Sequence, residues 1–191
     1  EVTVEGGPPV DITCKSVTCE GSRETYTANN ICGGEWQAIG GSIVSQNGNT
    51  VEIEWNNVDP ADGFGYVSYT PECGCKQKTI IKVPVVLKEG KIQGNEGICV
   101  GQQSLYKLPQ WPTTNFLWGI SGGPAGGAQL TYTANRNEVY VTGLLPGTYT
   151  LSSTYYNTLL GCECPNCKSK LIVKTSQKRS FLSLSGRLSV C

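Results

Sequence analysis

The sequence contains no histidine and no methionine, and it has only three aspartates among its 191 residues. Without histidine, neither a Ser–His–Asp nor a Cys–His catalytic arrangement can form, and a zinc site would need cysteine ligands alone. Paired carboxylates could still hydrolyse a glycosidic bond, and Glu52 and Glu54 share one face of a predicted strand. An ordinary solvated strand face also accounts for this pair, and we expect no catalytic residue and no cofactor.

Long apolar runs, a basic face and helical periodicity are also absent. No apolar run approaches the roughly 20 residues that span a bilayer, so we expect no membrane insertion. Lys and Arg together number 15, as do Asp and Glu, and no basic surface is indicated, so nucleic acid is not an expected partner. The missing 3.6-residue period predicts almost no helix. Because the chain begins at Glu1 without methionine or a signal peptide, we expect a piece of a processed or longer protein.

Cysteine, by contrast, is abundant, with ten residues. This usage is typical of an oxidising, extracellular compartment. The C-x-C-x-x-C cluster that ends at Cys167 could chelate a metal, but we favour disulfides and expect no metal site. The disulfide candidates are Cys14, Cys19, Cys32, Cys73, Cys75, Cys99, Cys162, Cys164, Cys167 and Cys191.

An internal repeat organises the chain. Residues 19–26 match residues 99–106 from a Cys-x-Gly opening to a tyrosine, and further anchors follow in the same order in both copies. These anchors are Trp36 and Trp118, Gly40-Gly41 and Gly122-Gly123, Val51-x-Ile53 and Val139-x-Val141, Gly65 and Gly147, and Cys75-Lys-x-Lys and Cys167-Lys-x-Lys. Residues 184–191 match residues 92–99, which predicts the start of a third copy. Cys191 would then pair downstream of this sequence; the alternatives are that it caps a short tail or pairs with Cys32.

The repeat predicts β-sandwich modules over residues 1–88 and 89–176, with a linker and the first strand of a third module over residues 177–191. Short alternating segments separated by turn residues predict a sandwich. Linkers are expected at residues 84–91 and 175–180. The predicted strands are 25–28, 35–39, 42–45, 51–55, 65–69 and 79–86 in the first module, and 104–108, 116–120, 129–133, 138–141, 148–154 and 170–174 in the second.

Disulfides would stabilise modules whose cores are small. Sequence alone does not fix the pairing. We expect one bond per module between its opening and closing cysteines, with accessory bonds in addition. The expected partners are Cys73 or Cys75 for Cys19, and Cys162, Cys164 or Cys167 for Cys99.

The aromatic residues divide into core and loop positions. Trp36, Trp118 and Trp55 are predicted to be core residues, the first two packed between the sheets against a disulfide. The glycine pairs are expected to supply positive φ in hairpin turns. The loop positions are candidate ligand contacts, with local packing as the alternative; they are Trp111, Tyr155 and Tyr156, together with Asn115 and Asn157.

One turn offers a weak cation-binding pattern. Asp59 and Asp62, with the loop carbonyl groups between them, could hold a calcium ion. Two carboxylates are few for such a site, and Asp-Pro-Ala-Asp-Gly is also an ordinary turn sequence. We expect the turn.

The motifs Cys19-x-Gly21, Trp36, Gly40-Gly41 and Val51-x-Ile53-x-Trp55 resemble PKD-like immunoglobulin-fold repeats of Bacteroidota cell-surface proteins. Residues 143–151, which lead to Gly161-Cys162, are similar to the close of short repeats in gliding-motility adhesins. The resemblance implies an all-β fold of two tandem immunoglobulin-like (PKD-like) β-sandwiches. It also implies export to the cell surface, usually by type IX secretion. The sequence departs from the family in lacking the Trp-Asp-Phe-Gly-Asp-Gly stretch and in having extra cysteines.

The expected function is a non-catalytic structural or adhesive repeat segment of a large secreted bacterial surface adhesin, stalk or filament. Expected partners are neighbouring repeats of the same polypeptide, and candidate further partners are surface glycans or proteins of the secretion or gliding machinery. The alternative is a specific glycan- or protein-binding module that uses exposed loop aromatics.

Overall fold

The computed structural model describes residues 10–13, 16–30, 32–74 and 76–174. The chain divides into two compact units. Unit 1 contains the described residues up to Lys88, together with Gln110–Thr114 and Asn157–Glu163. Unit 2 contains Glu89–Pro109, Asn115–Tyr156 and the described residues from Cys164 onward.

Strands and turns make up the described part of the chain. None of its residues lies in a helix, and no helix there has the length and hydropathy that a membrane span requires. The strands are β1 (Ile12–Thr13), β2 (Thr18–Cys19), β3 (Arg23–Ala28), β4 (Gly34–Ile39), β5 (Ser42–Asn47), β6 (Thr50–Glu54), β7 (Phe64–Pro71), β8 (Thr79–Val86), β9 (Gly97–Cys99), β10 (Gln103–Lys107), β11 (Thr114–Gly122), β12 (Ala128–Tyr132), β13 (Glu138–Gly143), β14 (Gly147–Asn157) and β15 (Glu163–Lys174).

Unit 1 has two four-stranded sheets. Their strand orders are β1-β3-β6-β5 and β2-β8-β7-β4. In the notation of immunoglobulin domains these orders are A-B-E-D and A′-G-F-C, with β2 pairing in parallel with β8. A buried tryptophan on strand C is a hallmark of that fold, and Trp36 on β4 is 3% exposed. Unit 1 is therefore immunoglobulin-like.

Unit 2 repeats this order. Its sheets are β10-β13-β12 and β11-β14-β15-β9, which correspond to B-E-D and C-F-G-A′. A single bridge between Gln93 and Lys107 stands where unit 1 pairs β1 with β3. The hydroxyl of Tyr149, on strand F, donates to the carbonyl oxygen of Leu145 at 3.0 Å, as in the tyrosine corner of immunoglobulin domains. Both units are all-β and immunoglobulin-like.

The core of unit 1 follows from strand alternation. Val51, Ile53 and Trp55 are fully buried, whereas the intervening glutamates are half-buried, as the period of two predicts. The indole nitrogen of Trp55 donates to the hydroxyl oxygen of Tyr26 at 3.0 Å. Any side chain at Gly65 on the opposite sheet would overlap the Trp55 indole. The prediction of Trp55 as a core residue is confirmed.

Each predicted strand lies within or overlaps an observed one. The strands that the sequence did not predict are β1, β2 and β9, which have two or three residues each. The predicted linker at 84–91 is wrong at its start, because Pro84 lies inside β8 and pairs with Phe64. Val85 donates to Gly63 on the β7 side, so the nitrogen of Pro84 faces the β2 side, where pairing begins only at Val85.

Other predictions concern residues near the end of the sequence. The third module at 177–191 and the linker at 175–180 lie outside the described residues. The glycine pairs supply the expected positive φ, since Gly40, Gly122 and Gly123 have φ values of 85°, 80° and 61°. The prediction that they form hairpin turns is wrong, because β4 and β5 lie in different sheets, as do β11 and β12.

Candidate functional site: the disulfide frame

The opening cysteine of unit 1 begins a backbone-bonded turn. Cys19 ends β2, and the next residue, Glu20, donates its backbone N–H to the carbonyl oxygen of Val86 at 2.9 Å. Gly21 follows with a φ of 81° and donates to the carbonyl oxygen of Trp55 at 2.7 Å. The turn thus joins β2 to both sheets of the unit, and its positive φ favours glycine.

Unit 2 opens on the same turn. After Cys99, Val100 donates its backbone N–H to the carbonyl oxygen of Lys174 at 3.0 Å, and Gly101 donates to the carbonyl oxygen of Gly143 at 2.7 Å. The φ of Gly101 is 83°. The sequence repeat is therefore also a repeat of hydrogen bonds, in which the donors Gly21 and Gly101 and their acceptors Trp55 and Gly143 are aligned positions.

Two disulfides are described. Cys19 is bonded to Cys162, with Cα atoms 6.0 Å apart and a sequence separation of 143. Cys32 is bonded to Cys73, with Cα atoms 6.2 Å apart and a separation of 41. Both distances are usual for disulfides. Cys99 is also in a disulfide, and its partner is not among the described side chains.

These bonds correct the expected pairing within unit 1. Cys19 pairs with neither Cys73 nor Cys75, because its partner is Cys162. It lies beside Val86 at the Phe64 end of β7, whereas Cys73 follows Pro71 at the other end. That strand is about 24 Å long at roughly 3.4 Å per residue. The register instead pairs Gly34 of β4 with Pro71 of β7. Two residues further out, it brings Cys32 opposite Cys73.

Other expected partners are affected in the same way. Because Cys162 is bonded to Cys19, it is not the partner of Cys99. Because Cys32 is bonded to Cys73, it is not the partner of Cys191. Cys14, Cys75 and Cys191 lie outside the described residues, and the side chains of Cys164 and Cys167 are not described.

Asn157 organises the loop that contains Cys162. It is fully buried, and its amide nitrogen donates to the carbonyl oxygen of Pro112 at 2.8 Å and to Thr114 Oγ1 at 3.0 Å. Its amide oxygen accepts from the backbone N–H groups of Leu159 at 3.1 Å and Leu160 at 3.0 Å. The four bonds use both donors and both lone pairs of the amide.

Backbone bonds complete this loop. The N–H of Asn157 donates to the carbonyl oxygen of Cys162 at 2.8 Å, and Gly161 donates to the carbonyl oxygen of Asn157 at 2.9 Å. The carbonyl oxygen of Thr113 accepts from both the backbone N–H and the hydroxyl of Thr158, at 2.9 and 3.0 Å. Cys162 is therefore part of an ordered hydrogen-bonded loop within unit 1.

Trp111 is buried in unit 1, with 3% of its surface exposed. Its indole nitrogen donates to the carbonyl oxygen of Gly63 at 2.8 Å. The same carbonyl oxygen accepts from the N–H of Val85 at 3.0 Å. Of the two expectations for Trp111, the structure favours local packing over an exposed ligand contact.

The Asp59–Gly63 turn is held by its own hydrogen bonds. The Asp59 carboxylate accepts from the N–H of Ala61 at 2.8 Å, and the Asp59 carbonyl oxygen accepts from Asp62 at 3.1 Å and Gly63 at 2.8 Å. The described residues contain no cluster of three or more His, Cys, Asp or Glu side chains that could hold a metal ion. The turn positions a carbonyl group for Trp111.

The remaining candidate contacts differ in exposure. Tyr155 is 3% exposed, its hydroxyl oxygen accepts from the N–H of Gly90 at 3.1 Å, and its ring lies 5.6 Å from that of Phe116. Tyr156 is 46% exposed, and Asn115 is exposed as well. Tyr156 and Asn115 are thus the ones that keep surface available for a ligand.

The aligned tryptophans make equivalent contacts in the two units. Trp36 and Trp118 are each 3% exposed, as expected of core residues. The indole nitrogen of Trp36 donates to the carbonyl oxygen of Gly48 at 3.2 Å, and that of Trp118 donates to Arg136 at 2.9 Å. The described ring contact of Trp36 is with Tyr69, at 4.6 Å between centroids.

The acceptors of the two tryptophans, Gly48 and Arg136, are each followed by an asparagine. The sequence reasoning missed this aligned pair. The carbonyl oxygen of Asn49 accepts from Ala28 at 2.8 Å, and that of Asn137 accepts from Leu108 at 2.9 Å. Their side-chain amides donate to the carbonyl oxygens of Asn30 and Leu108 respectively. Both asparagines lie two residues before the matched Val-x-(Ile/Val) strand, and this position was the available signal.

An exposed face of β4, β7 and β8 was also missed. The ammonium group of Lys82 lies 3.7 Å from the ring centroid of Phe64 and 5.9 Å from that of Tyr66. Ile39 and Ile80 are 69% and 61% exposed. The register places Ile39, Tyr66 and Lys82 in one row. We call these five residues, Ile39, Phe64, Tyr66, Ile80 and Lys82, the Lys82 face. It combines apolar and aromatic side chains with a cation held by cation–π contact.

A shallow cavity of about 200 Å³ lies in unit 2. The glycine-rich turn at residues 122–127 and Tyr149 form much of its lining, which contains no carboxylate and no cationic side chain. The Tyr149 hydroxyl already donates to Leu145. This cavity offers no acid–base pair for catalysis.

One buried tyrosine has a shifted pKa. Tyr106 is 1% exposed, and its hydroxyl donates to the carbonyl oxygen of Asn95 at 2.6 Å. Burial raises the pKa of Tyr106 above its ordinary value, and a hydrogen bond with Ser104 offsets part of that increase. The neutral phenol is the form that the core of unit 2 favours.

No family model matches the chain, and no curated protein matches it. Among solved structures, the D00-D0 domain of intimin aligns at 11% identity over 87% of this chain and 100% of that chain, with a TM-score of 0.37. The tandem Ig repeats of Dlar align at 15% identity over 87% and 98%, with a TM-score of 0.29. Murine CEACAM1b aligns at 12% identity over 86% and 100%, with a TM-score of 0.31. Because these TM-scores are below 0.5, the immunoglobulin-like fold is assigned from the strand order.

Proposed function

We propose that this chain is a non-catalytic structural or adhesive repeat segment of a large secreted surface adhesin, in which it acts as a spacer. The observation that carries the proposal is the repeated opening turn, in which Gly21 and Gly101 donate to aligned carbonyl groups at 2.7 Å. A turn that recurs with the same bonds is what tandem repetition of one building block produces. The proposed modules are residues 1–88 and 89–176, with a third beginning at 177–191.

The disulfides support a location outside the cell. Disulfides persist in oxidising compartments and are rare in the reducing cytosol, and the Cys19–Cys162 and Cys32–Cys73 bonds both lie in unit 1. Units of this size bury only about 60–65% of their unfolded surface, so covalent cross-links offset the small core. Neighbouring repeats of the same polypeptide are the proposed partners.

The bacterial origin of the segment, its part in gliding motility and its export by type IX secretion are finer proposals. Their support is the resemblance of Cys19-x-Gly21, Trp36 and Gly40-Gly41 to PKD-like repeats. If the proposal holds, the parent protein reaches the surface of a type IX-competent bacterium and stays inside a mutant that lacks the translocon. Surface labelling of both strains measures this difference.

A binding experiment tests the structural role itself. The purified chain is applied to a glycan array and to a panel of surface polysaccharides, with a known lectin as positive control. A repeat that acts as a spacer shows no saturable binding at micromolar concentration. Saturable binding would contradict the spacer role.

The Lys82 face favours a second candidate function, which is binding of a glycan or protein at exposed aromatic side chains. The ammonium group of the exposed Lys82 lies over the half-buried Phe64 ring, so a cation and an aromatic ring occur together on this face. If binding is found, Tyr66→Ala should abolish it, whereas Tyr156→Ala, at an exposed tyrosine outside this face, should preserve it. The reverse result would assign the binding to Tyr156.

A further inference from the structure

We propose that the Cys19–Cys162 disulfide is a covalent bypass that carries tension past the strands between the two cysteines. The sequence separation is 143, so 162 − 19 − 1 gives 142 residues inside the closed loop. The Cα atoms of the two cysteines are only 6.0 Å apart. Strands β3 to β14 all lie within this loop.

The elements outside the loop give the path that a pulling force would take. The described strands that begin before Cys19 are β1 and β2. β1 forms two residue pairs with β3, and β2 forms two with β8. After Cys162 comes β15, Glu163–Lys174, which is already an extended strand. Force applied at the chain ends therefore passes through Cys19, the S–S bond, Cys162 and β15. None of β3 to β14 is in series with that force.

Hydrogen bonds hold both cysteines in place, so tension can load the bond without first rearranging the fold around it. On the Cys19 side, the turn is held by the Glu20–Val86 and Gly21–Trp55 backbone bonds. On the Cys162 side, the loop is held by Asn157, which makes four side-chain bonds and a backbone bond to Cys162. Both cysteines thus lie in ordered frames of unit 1.

The second disulfide is nested inside the first loop. Cys32 and Cys73 both lie between Cys19 and Cys162, and their separation is 41. Under the proposal, this bond bears no tension while the outer bond is intact. It stabilises the fold of unit 1, whereas the outer bond limits extension, and this difference provides a matched control.

This proposal rests on the proposed function, because only a structural segment of a surface protein has to transmit load. The bypass would give the segment a fixed length under tension, because a chain of 142 residues that unfolded fully would add up to about 50 nm at roughly 3.5 Å per residue. While the disulfide is intact, this added length is not available to extension.

Single-molecule pulling tests the bypass. Handles are fused to both ends of the whole chain, and the oxidised protein is stretched. We expect no extension step from the loop. Adding a phosphine reductant to the wild-type protein under load should then release up to about 50 nm. This arm needs no variant to fold.

Two double variants extend the test. Cys19→Ala with Cys162→Ala should lengthen the oxidised chain by on the order of 10 to 50 nm, depending on the other bonds inside the loop. Cys32→Ala with Cys73→Ala should add no length. A large step in the oxidised wild type, no gain on reduction, or equal gains in the two variants would overturn the proposal.

These outcomes separate the bypass from the proposed function. Saturable glycan binding would contradict the spacer role and leave the pulling result unchanged. A large extension step, from unfolding of the residues inside the loop, in the oxidised chain would remove the bypass and leave the glycan result unchanged.

Discussion

The indole nitrogen of Trp111 donates a 2.8 Å hydrogen bond to the carbonyl oxygen of Gly63, 48 residues earlier in the chain. That carbonyl group is presented by the Asp59–Gly63 turn, whose own bonds use the Asp59 side chain and backbone. A turn that resembles a cation loop in sequence therefore serves as the acceptor for a buried tryptophan.

Trp111→Ala should destabilise unit 1 by about 3–5 kcal/mol, because it removes a buried indole and leaves a cavity. Trp111→Phe should cost less, about 1–2 kcal/mol, since the Gly63 carbonyl oxygen keeps its bond from Val85. Urea unfolding, with hydrogen exchange at unit 1 amides, measures both losses. Tyr156→Ala, at an exposed tyrosine, is the control and should change stability by about 0.5 kcal/mol or less. Equal stability of Trp111→Ala and wild type would contradict the packing role.

Asn157→Ala should destabilise the Cys162 loop by about 3 kcal/mol, because four side-chain bonds are lost at roughly 0.5–1.5 kcal/mol each. The amide protons of Leu159 and Leu160 lose their acceptor and should exchange faster. Hydrogen exchange resolved to these two amides is the measurement. Asn115→Ala replaces an exposed asparagine and should leave their protection unchanged. Full protection in Asn157→Ala would show that the backbone alone holds the loop.

Removal of the disulfides should lower stability unequally. Loop-closure entropy assigns about 5 kcal/mol to Cys19–Cys162 and about 4 kcal/mol to Cys32–Cys73, before any strain. Cys19→Ala with Cys162→Ala should therefore lower the thermal midpoint more than Cys32→Ala with Cys73→Ala. Calorimetry of the two variants and of the reduced wild type makes the comparison. An unchanged melting curve under full reduction would be incompatible with this account.

Alkaline pH should weaken unit 2 through Tyr106. The folded-state pKa of Tyr106 is raised above the model-compound value of 10.0, so the folded state holds the phenol proton more tightly than the unfolded state. The resulting stability is fully present below about pH 10 and is lost as the pH rises through the folded pKa. Urea unfolding from pH 9 upward should show a fall that Tyr106→Phe reduces. Tyr140→Phe, at a more exposed tyrosine, should keep the fall; an identical fall in Tyr106→Phe would refute the assignment.

The strands with alternation and turn residues on both sides could be predicted from the sequence. Val51, Ile53 and Trp55 alternate with glutamates, and the observed burial follows that period. β1, β2 and β9 have only two or three residues, which is too few to show any period. Their positions depend on pairing with distant strands, and the local sequence does not contain that information.

The disulfide pairing was predictable only in part. Once β4 and β7 are paired with Gly34 opposite Pro71, the register brings Cys32 and Cys73 together. The Cys19–Cys162 bond depends on how the Asn157 loop packs in unit 1, which no spacing along the chain reveals. Trp111 is similar, since its acceptor belongs to a turn 48 residues away.

The backbone bonds shared by the two opening turns do not depend on the chemical type of the middle residue, although the Glu20 carboxylate of unit 1 also accepts from the N–H of Lys88 at 2.7 Å. These shared bonds come from backbone groups, so an acidic Glu20 in one copy and an aliphatic Val100 in the other are equally compatible with the turn. Sister segments could therefore carry quite different side chains at this spot and still adopt one geometry. A search for further copies should weigh the invariant spacing of cysteine and glycine above overall similarity.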